Sequence, residues 1–339
     1  MVRVGVIGCG NIGGVHAMIL NKIKQARLCA LADIRLERSE EYSARFTGGK
    51  AAAYGSMEEM LEREELDAVH ICTPHVCHVP MAVQALKKGL HVFMEKPPAI
   101  SREQFEELLT VSNGCKGRLG ICFQNRYNET TRKVNEVLAE GTLGRIKGGR
   151  AFVTWHRDAS YYTESGWRGK LETEGGGALI NQSIHALDLL LGWMGKPVRT
   201  EAAMSNHHLK GIVEVEDTLE AYMAFSKGAE PVSASFYATT AYAADVPVLI
   251  ELVCENGFVR LEGNSVWYQT EGKEETVVWQ APKTSVPGKT YWGSGHEACI
   301  RDFYDCLESG KAYFNDLASV ENTFYTMMDI YDSARNEGR

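Results

Sequence analysis

VRVGVIGCGNIGGVHAMIL, running from Val2 to Leu20, is the stretch that decides the fold of this chain. Val2, Val4, Val6 and Ile7 form a short apolar, β-branched run, as expected of a strand buried on both faces. Gly8-Cys9-Gly10-Asn11-Ile12-Gly13 follows at once, and Val15, Met18, Ile19 and Ile23 then recur at helical spacing. In a strand–turn–helix unit of this kind the first glycine makes the tight turn and the second admits a pyrophosphate. The third lets the helix pack on the strand, and the helix N-terminus stabilises the phosphate charge. A bare GxGxxG would be weak; this one sits between a strand and a helix, where the physics needs it.

The next strand strengthens the reading. Arg27-Leu28-Cys29-Ala30-Leu31-Ala32 ends in Asp33, twenty residues after Gly13, where a carboxylate hydrogen-bonds the adenosine ribose hydroxyls. Asp33 repels a 2′-phosphate and so favours NAD. Arg35 and Arg38 leave NADP open, because a guanidinium beside the ribose can pair with that phosphate.

Composition sets the outer limits. The 339 residues are long for one core and natural for two, and 44% hydrophobic content is that of a globular chain. A formal net charge of -8 argues against a nucleic-acid partner. No apolar run approaches the roughly 20 residues of a membrane span. The chain enters its first strand at once, so no signal peptide is expected. Nine cysteines without CxxC pairs read as free thiols in a reducing cytoplasm. Thr73-Pro74-His75-Val76-Cys77-His78 invites a zinc reading. A closed zinc site takes four ligands at recognised spacing, however, and no other cysteine pairs with this run; no metal is expected.

The chain divides near residue 120. Before it, strands (67–72, 91–94, 118–123) alternate with helices (about 80–88 and 103–111), the latter opened by a Ser101–Gln104 capping box. This predicts a doubly wound parallel sheet with ligands at the carboxyl ends of its strands, where Thr73, Glu95-Lys96 and Gln124-Asn125-Arg126 fall. After it, amphipathic strands follow one another (146–155, 218–225, 232–237, 248–254, 257–262, 266–270, 276–279). Glu255-Asn256-Gly257 is a hairpin turn between two of them. The expected fold class is α/β: a Rossmann domain over 1–122, then an α+β domain over 123–316 on a large, mostly antiparallel open sheet. The last two helices span 296–309 and about 317–337, and the final one is a candidate to pack back on the first domain.

GGGALINQSIHALDLL, Gly175 to Leu190, carries the second set of functional candidates. Asn181, His185 and Asp188 share a helix face, while Ile184, Leu187 and Leu191 make an apolar opposite face. The glycines before the helix let the backbone approach a ligand closely. Oxidising a secondary alcohol needs a base for the hydroxyl proton while hydride leaves the same carbon, which a positioned imidazole or lysine can supply. His185 and Lys96, fixed by Pro97 and Pro98 after a strand, are the candidates. Asp188 either binds a substrate hydroxyl or caps local backbone. Aromatic faces suit sugar C–H surfaces and guanidinium groups suit carboxylate or phosphate. On that ground Arg126, Tyr127, Trp155, His156, Arg157, Tyr161, Tyr162, Trp167 and Arg168 are substrate-side candidates.

GCGNIG, Glu95-Lys96-Pro97, Trp167-Arg168, the 175–188 segment and the terminal Ile330-Tyr331-Asp332-Ser333-Ala334 together resemble the Gfo/Idh/MocA family of oxidoreductases. The resemblance implies hydride transfer between a nicotinamide and a carbohydrate or polyol carbon, with Lys96 and His185 carrying the catalysis. It implies a cofactor site of Gly8, Gly10, Asn11, Ile12, Gly13, Asp33, Arg35, Arg38, Thr73, Pro74, His78, Glu95, Lys96, Gln124, Trp167 and Arg168. It also implies a homodimer or homotetramer through the C-terminal sheet. Many members carry aspartate where this chain has Asn181, which an amide replaces as an orienting group but not as a proton acceptor. The Asn-Gln pair here is similar to members acting on nucleotide-linked sugar acids. An NAD-dependent glycosidase using transient oxidation and a non-catalytic NAD-binding regulator are the alternative readings.

Overall fold

A computed structural model describes residues 1–227, 230–270, 272, 276–281 and 295–336. The chain separates into two compact units, 1–123 with 296–320, and 124–295 with 321–339.

The first unit begins as its sequence requires. Strand β1 (Val2–Ile7) leads through the glycine turn into α1 (Asn11–Leu20), and Val4 and Val6 are wholly buried. Burying such side chains contributes about 1.5–3 kcal/mol each. Then come β2 (Ala26–Ala32), α2 (Leu36–Thr47), β3 (Ala52–Tyr54), α3 (Met57–Arg63), β4 (Ala68–Ile71), α4 (His75–Lys87), β5 (His91–Glu95), α5 (Arg102–Gly114) and β6 (Leu119–Cys122). The six strands are all parallel in the order β3-β2-β1-β4-β5-β6. The order reverses between β1 and β4, the switch point at which such sheets take their ligands. Ser101 Oγ accepts from Gln104 N as a helix cap should. Helix α4 departs from expectation: it starts at His75 and runs through Pro80, which lies exposed. Pro74, immediately before the first helical residue, supplies the start that Pro80 was expected to make.

The second unit is built on an eight-stranded sheet. Its elements are α6 (Glu129–Ala139), β7 (Ile146–Thr154), α7 (Ala159–Thr163), α8 (Leu171–Glu174), α9 (Ile184–Met194), β8 (Arg199–Ser205), β9 (Thr218–Lys227), β10 (Glu230–Thr239), β11 (Leu249–Cys254), β12 (Gly257–Glu262), β13 (Ser265–Thr270) and β14 (Val277–Gln280). The order is β14-β13-β12-β11-β7-β10-β9-β8, with only β7–β10 parallel. Alternation sets one face inward: Leu219, Ala221, Met223 and Phe225 on β9, Val232, Ala234, Phe236 and Ala238 on β10. Helix α9 packs on β7. Tyr222 and Val253 stay exposed on the other side of the sheet.

The two closing helices change places relative to expectation. Helix α10 (Gly295–Ser309) has nearly all its length in the first unit, whereas α11 (Glu321–Asn336) belongs to the second, packed on β8 and α9. The reason is polar as well as apolar. Tyr331 Oη reaches Glu216 and the Ile180 amide, Thr323 reaches Asp188, and Ser333 Oγ accepts from Ala202 N. All nine cysteines are free thiols. Among the described residues no helix is long and apolar enough to cross a membrane.

Candidate active site

In the first unit, the three glycines of the turn are set apart by what a side chain would meet. Gly8 has φ +92, and a Cβ there would lie 2.5 Å from the Cys72 carbonyl oxygen. At Gly13 it would lie 2.0 Å from the Gly8 oxygen, so the helix can approach the turn only without one. At Gly10 it would meet nothing within 4 Å. Gly8 and Gly13 are therefore required by the protein's own packing, while Gly10 leaves room beside a helix N-terminus, as an anion cradle needs. Asn11 is exposed and Ile12 half-buried beside it.

Asp33 locks this turn in place. Its Oδ2 accepts from Cys9 N at 2.8 Å and its Oδ1 from Arg35 N at 2.9 Å. Tyr42, which the sequence reading passed over, donates its hydroxyl to the Gly10 carbonyl at 3.1 Å. Arg35 is exposed and Arg38 half-buried, the latter acting electrostatically on Cys9. Burial pushes the Cys9 thiol up to about 12, so it stays neutral.

Thr73 and Pro74 are half-buried at the end of β4, and Lys96 is half-buried after β5, joined to Pro97 by a cis peptide bond. His78 is fully buried and cannot face a ligand, contrary to its expected place at the cofactor. Its Nδ1 meets the Pro97 carbonyl at 2.8 Å and its Nε2 the Thr73 carbonyl at 3.0 Å, so it ties the two strand-end loops together. Burial lowers its pKa, against the pull of those carbonyls.

Glu95 also turns inward rather than toward a cofactor. It accepts from His16 Nε2 at 3.0 Å; His16 Nδ1 meets His70 Nδ1 at 2.8 Å, and His70 Nε2 meets the Tyr304 hydroxyl at 2.8 Å. Burial pushes the Glu95 carboxyl up, but the His16 bond and the charges of His16, His296 and Lys96 outweigh it and hold it well below the usual range. Burial drives His70 well below its ordinary pKa and His296 down to about 4. His16, Glu95 and Cys122 bring ligand-type atoms within 4.8 Å of one another. The hydrogen bonds already made by both His16 nitrogens account for that grouping without an ion. Nothing local in the sequence signals this network, because its bonded pairs lie 54, 79 and 234 residues apart.

In the second unit, residues 178–183 form a π-helical turn that precedes α9. From Gly176 to Leu191 every residue is buried except Asn181 and His185, which are half-exposed. Ile184, Leu187 and Leu191 face inward as expected. Asp188 does not join the polar face: the wide turn changes the helical register, and Asp188 lies 2% exposed. Its carboxylate takes both arms of Arg126, at 2.7 and 2.6 Å, and the Thr323 hydroxyl at 2.7 Å. Asp188 thus neither caps backbone nor meets a substrate, and Arg126 is committed to an internal ion pair. The glycine run serves the interior too. A Cβ at Gly176 would sit 2.1 Å from the Tyr331 hydroxyl, and one at Gly177 2.0 Å from the Glu216 carbonyl. The close approach is to the protein itself, not to a ligand.

Among the other substrate-side candidates, Tyr162 belongs to an apolar cluster with Leu209, Val213 and Val215. Trp155 is buried and donates its indole N–H to the Val246 carbonyl. Gln124 is buried in a short 3-10 helix (Gln124–Tyr127) whose last residue, Tyr127, is half-buried. The arginines behave differently. Arg157 lies over Trp155 at 5.1 Å and Tyr161 at 5.3 Å, and pairs with Asp245. Arg168 lies over Tyr161 at 4.5 Å and Trp167 at 4.9 Å, and Gln182 Nε2 reaches the Tyr161 hydroxyl at 3.4 Å. Arg157 is buried and committed to Asp245, whereas the half-buried Arg168, stacked on two aromatic rings, makes a surface suited to an anionic, ring-bearing ligand.

A parallel sheet ordered in this way, with an open glycine at the helix start and an aspartate after the second strand, defines a dinucleotide-binding protein of the Rossmann class. Residues 2–121 match the oxidoreductase family with the NAD-binding Rossmann fold, and residues 131–260 match the Gfo/Idh/MocA C-terminal domain. The chain belongs to the Gfo/Idh/MocA family, and its first unit is that family's NAD-binding domain. It is 31% identical to D-glucoside 3-dehydrogenase of Escherichia coli over 199 residues, 58% of this chain and 55% of that protein. It is 30% identical to glucose-6-phosphate 3-dehydrogenase of Bacillus subtilis over 201 residues, 56% and 53% of the two. The matches span about half the length of these curated relatives. The crystal structure of the WlbA dehydrogenase from Bordetella pertussis, in complex with NADH and UDP-GlcNAcA, is similar over nearly the whole chain. Its TM-score is 0.83 at 26% identity, covering 99% of this chain and 97% of that one.

Proposed function

We propose that the protein is an NAD-dependent dehydrogenase or reductase acting on a hydroxyl-bearing carbon of a sugar derivative, with nucleotide-linked sugar acids as the substrate class. The observation that carries this is the pair Asn181 and His185, the two openings in an otherwise sealed segment of a chain with a dinucleotide cradle. NAD, when bound, supplies the hydride acceptor, and Gly8, Gly10, Gly13 and Asp33 are the residues that fit it. Lys96 and His185 act as the acid/base and substrate-positioning groups. The half-buried Arg168, stacked on Tyr161 and Trp167, supports an anionic substrate, and the WlbA likeness, with its UDP-GlcNAcA ligand, points the same way. The face of the eight-stranded sheet that exposes Tyr222 and Val253 is the surface for self-association into a homo-oligomer.

The test is mass spectrometry of small molecules retained by the purified protein, followed by NAD(P)H absorbance against sugars, polyols and nucleotide-sugar acids. Stoichiometric NADH from a nucleotide-sugar acid supports the reading. Bound cofactor that no compound in the panel reduces or reoxidises overturns it.

A further inference from the structure

Glu174 ends the short helix α8 and is fully buried, yet it carries an ionisable carboxyl into the segment that holds Asn181 and His185. Its Oε2 accepts from Gly169 N at 2.5 Å, and its Oε1 accepts from Asn181 Nδ2 at 2.5 Å. A carboxylate can only accept, so the ionised form requires the amide nitrogen of Asn181 to point at it. The amide oxygen is then turned the other way, as an acceptor on the half-exposed side chain four residues before His185. Protonation reverses the logic. A neutral Glu174 can still accept from Gly169 N through one oxygen, while the other donates its proton to Asn181 Oδ1. The amide must turn over for this, and it then presents N–H donors where it had presented an acceptor.

We infer that Glu174 is a positioning residue whose charge decides which end of the Asn181 amide is offered beside His185. With Glu174 ionised, Asn181 accepts a hydrogen bond from an imidazole N–H or a substrate hydroxyl; with Glu174 neutral, that donor meets another donor. The consequence for a substrate hydroxyl rests on the dehydrogenase reading above, but the amide orientation does not. The groups facing Glu174 allow this switch to work near neutrality. Burial pushes its carboxyl up to about 7; the Gly169 N–H, the Asn181 amide and the Arg168 charge pull it down, and Glu216 pushes it up. Tyr162 and Tyr331 also feel its charge, and burial holds both hydroxyls neutral.

The experiment follows the Asn181 side-chain amide by NMR in protein labelled with 15N-asparagine, from pH 5.5 to 8.5, assigning the signal by its loss in Asn181→Ala. It should shift with a midpoint near 7 in the unsubstituted protein. In Glu174→Gln, whose side chain can accept from Gly169 N and donate to Asn181 Oδ1, it should be fixed at the low-pH position. On any substrate found, kcat/KM should fall on the acid side of 7, and Glu174→Gln should remove the component of that limb centred near 7 and leave a rate about 10-fold or more lower at pH 8. An Asn181 amide that does not titrate in the unsubstituted protein overturns the inference, whether or not any substrate is found. An acid limb that survives unchanged in Glu174→Gln overturns it as well. Failure of every compound in the panel counts only against the function, because the amide signal needs no substrate.

Discussion

Gly10→Ala separates room kept for a ligand from room needed by the fold. A methyl at residue 10 meets no protein atom within 4 Å, and Gly10 has φ −91 and ψ −176, open to any residue. Two small terms oppose each other in stability. Alanine restricts the unfolded chain by about 0.4–1 kcal/mol, and it is a poorer helix N-cap than glycine by a similar amount. The net change should lie within about 1 kcal/mol. The pyrophosphate, by contrast, must approach the helix N-terminus at this point, and a methyl displaces it from those N–H groups. A loss of about 1.4–2.7 kcal/mol, or 10- to 100-fold in Kd, is expected. Gly13→Ala is the control, since its Cβ would lie 2.0 Å from the Gly8 oxygen, far inside contact distance. It should destabilise the protein by about 3 kcal/mol and abolish binding through the fold. NAD titration by calorimetry, paired with urea denaturation, reads both quantities. A Gly10→Ala protein that binds NAD as tightly as the unsubstituted one would refute the cradle. One that unfolds as Gly13→Ala does would show that Gly10 serves packing.

Other consequences follow from the same geometry. Lys96→Ala should abolish turnover while leaving NAD affinity nearly intact; turnover that survives removes Lys96 from the chemistry. Asp188→Asn leaves the largely buried Arg126 guanidinium without its carboxylate and should cost about 3 kcal/mol in urea denaturation. A raised KM with unchanged stability would instead restore Asp188 to the substrate. Tyr331→Phe removes the hydroxyl that donates to Glu216 at 2.8 Å and accepts from Ile180 N at 3.3 Å, which should cost about 2 kcal/mol. A melting curve indistinguishable from the unsubstituted protein would show that the hydroxyl does not anchor α11.

What could be read from the sequence was local. The β-branched run Val2–Ile7, the glycine turn and the acid at the end of the next strand are contiguous, and each has one conformational meaning. The Ser101 cap and the Cys254–Gly257 hairpin are likewise contained in a few residues, and both appear in place. What could not be read depended on distant partners. Glu95 looked like a cofactor residue because it sits at a strand end, yet His16, 79 residues earlier, turns it inward. Asp188 shared a face with Asn181 on an ideal helix, but the π-helical turn and Arg126, 62 residues away, take it into the core. Gly176 and Gly177 announced close approach without naming what approaches; it is Tyr331 and the Glu216 backbone. A pattern in sequence states what a residue can do, and the partner selected by the fold states what it does.

The buried carboxyl of Glu174 makes this concrete, because its environment has a cost that stability should report. The carboxyl moves from an ordinary 4.5 to about 7 on folding. Below 4.5 it is neutral in both states and contributes no difference. Between 4.5 and 7 the unfolded chain releases the proton while the folded one keeps it, so stability falls as pH rises through this window. Above 7 both states are ionised and the loss levels off at about 3 kcal/mol. Gln at this position cannot ionise and keeps an acceptor for Gly169 N. The stability of Glu174→Gln relative to the unsubstituted protein should therefore rise from pH 4.5 to 7 and stay level above. Urea denaturation at pH 4.5, 6, 7 and 8 measures it. A difference between the two proteins that does not change with pH would mean that the folded protein ionises Glu174 as easily as water does. The fold would then have no reason to aim the Asn181 amide by its charge.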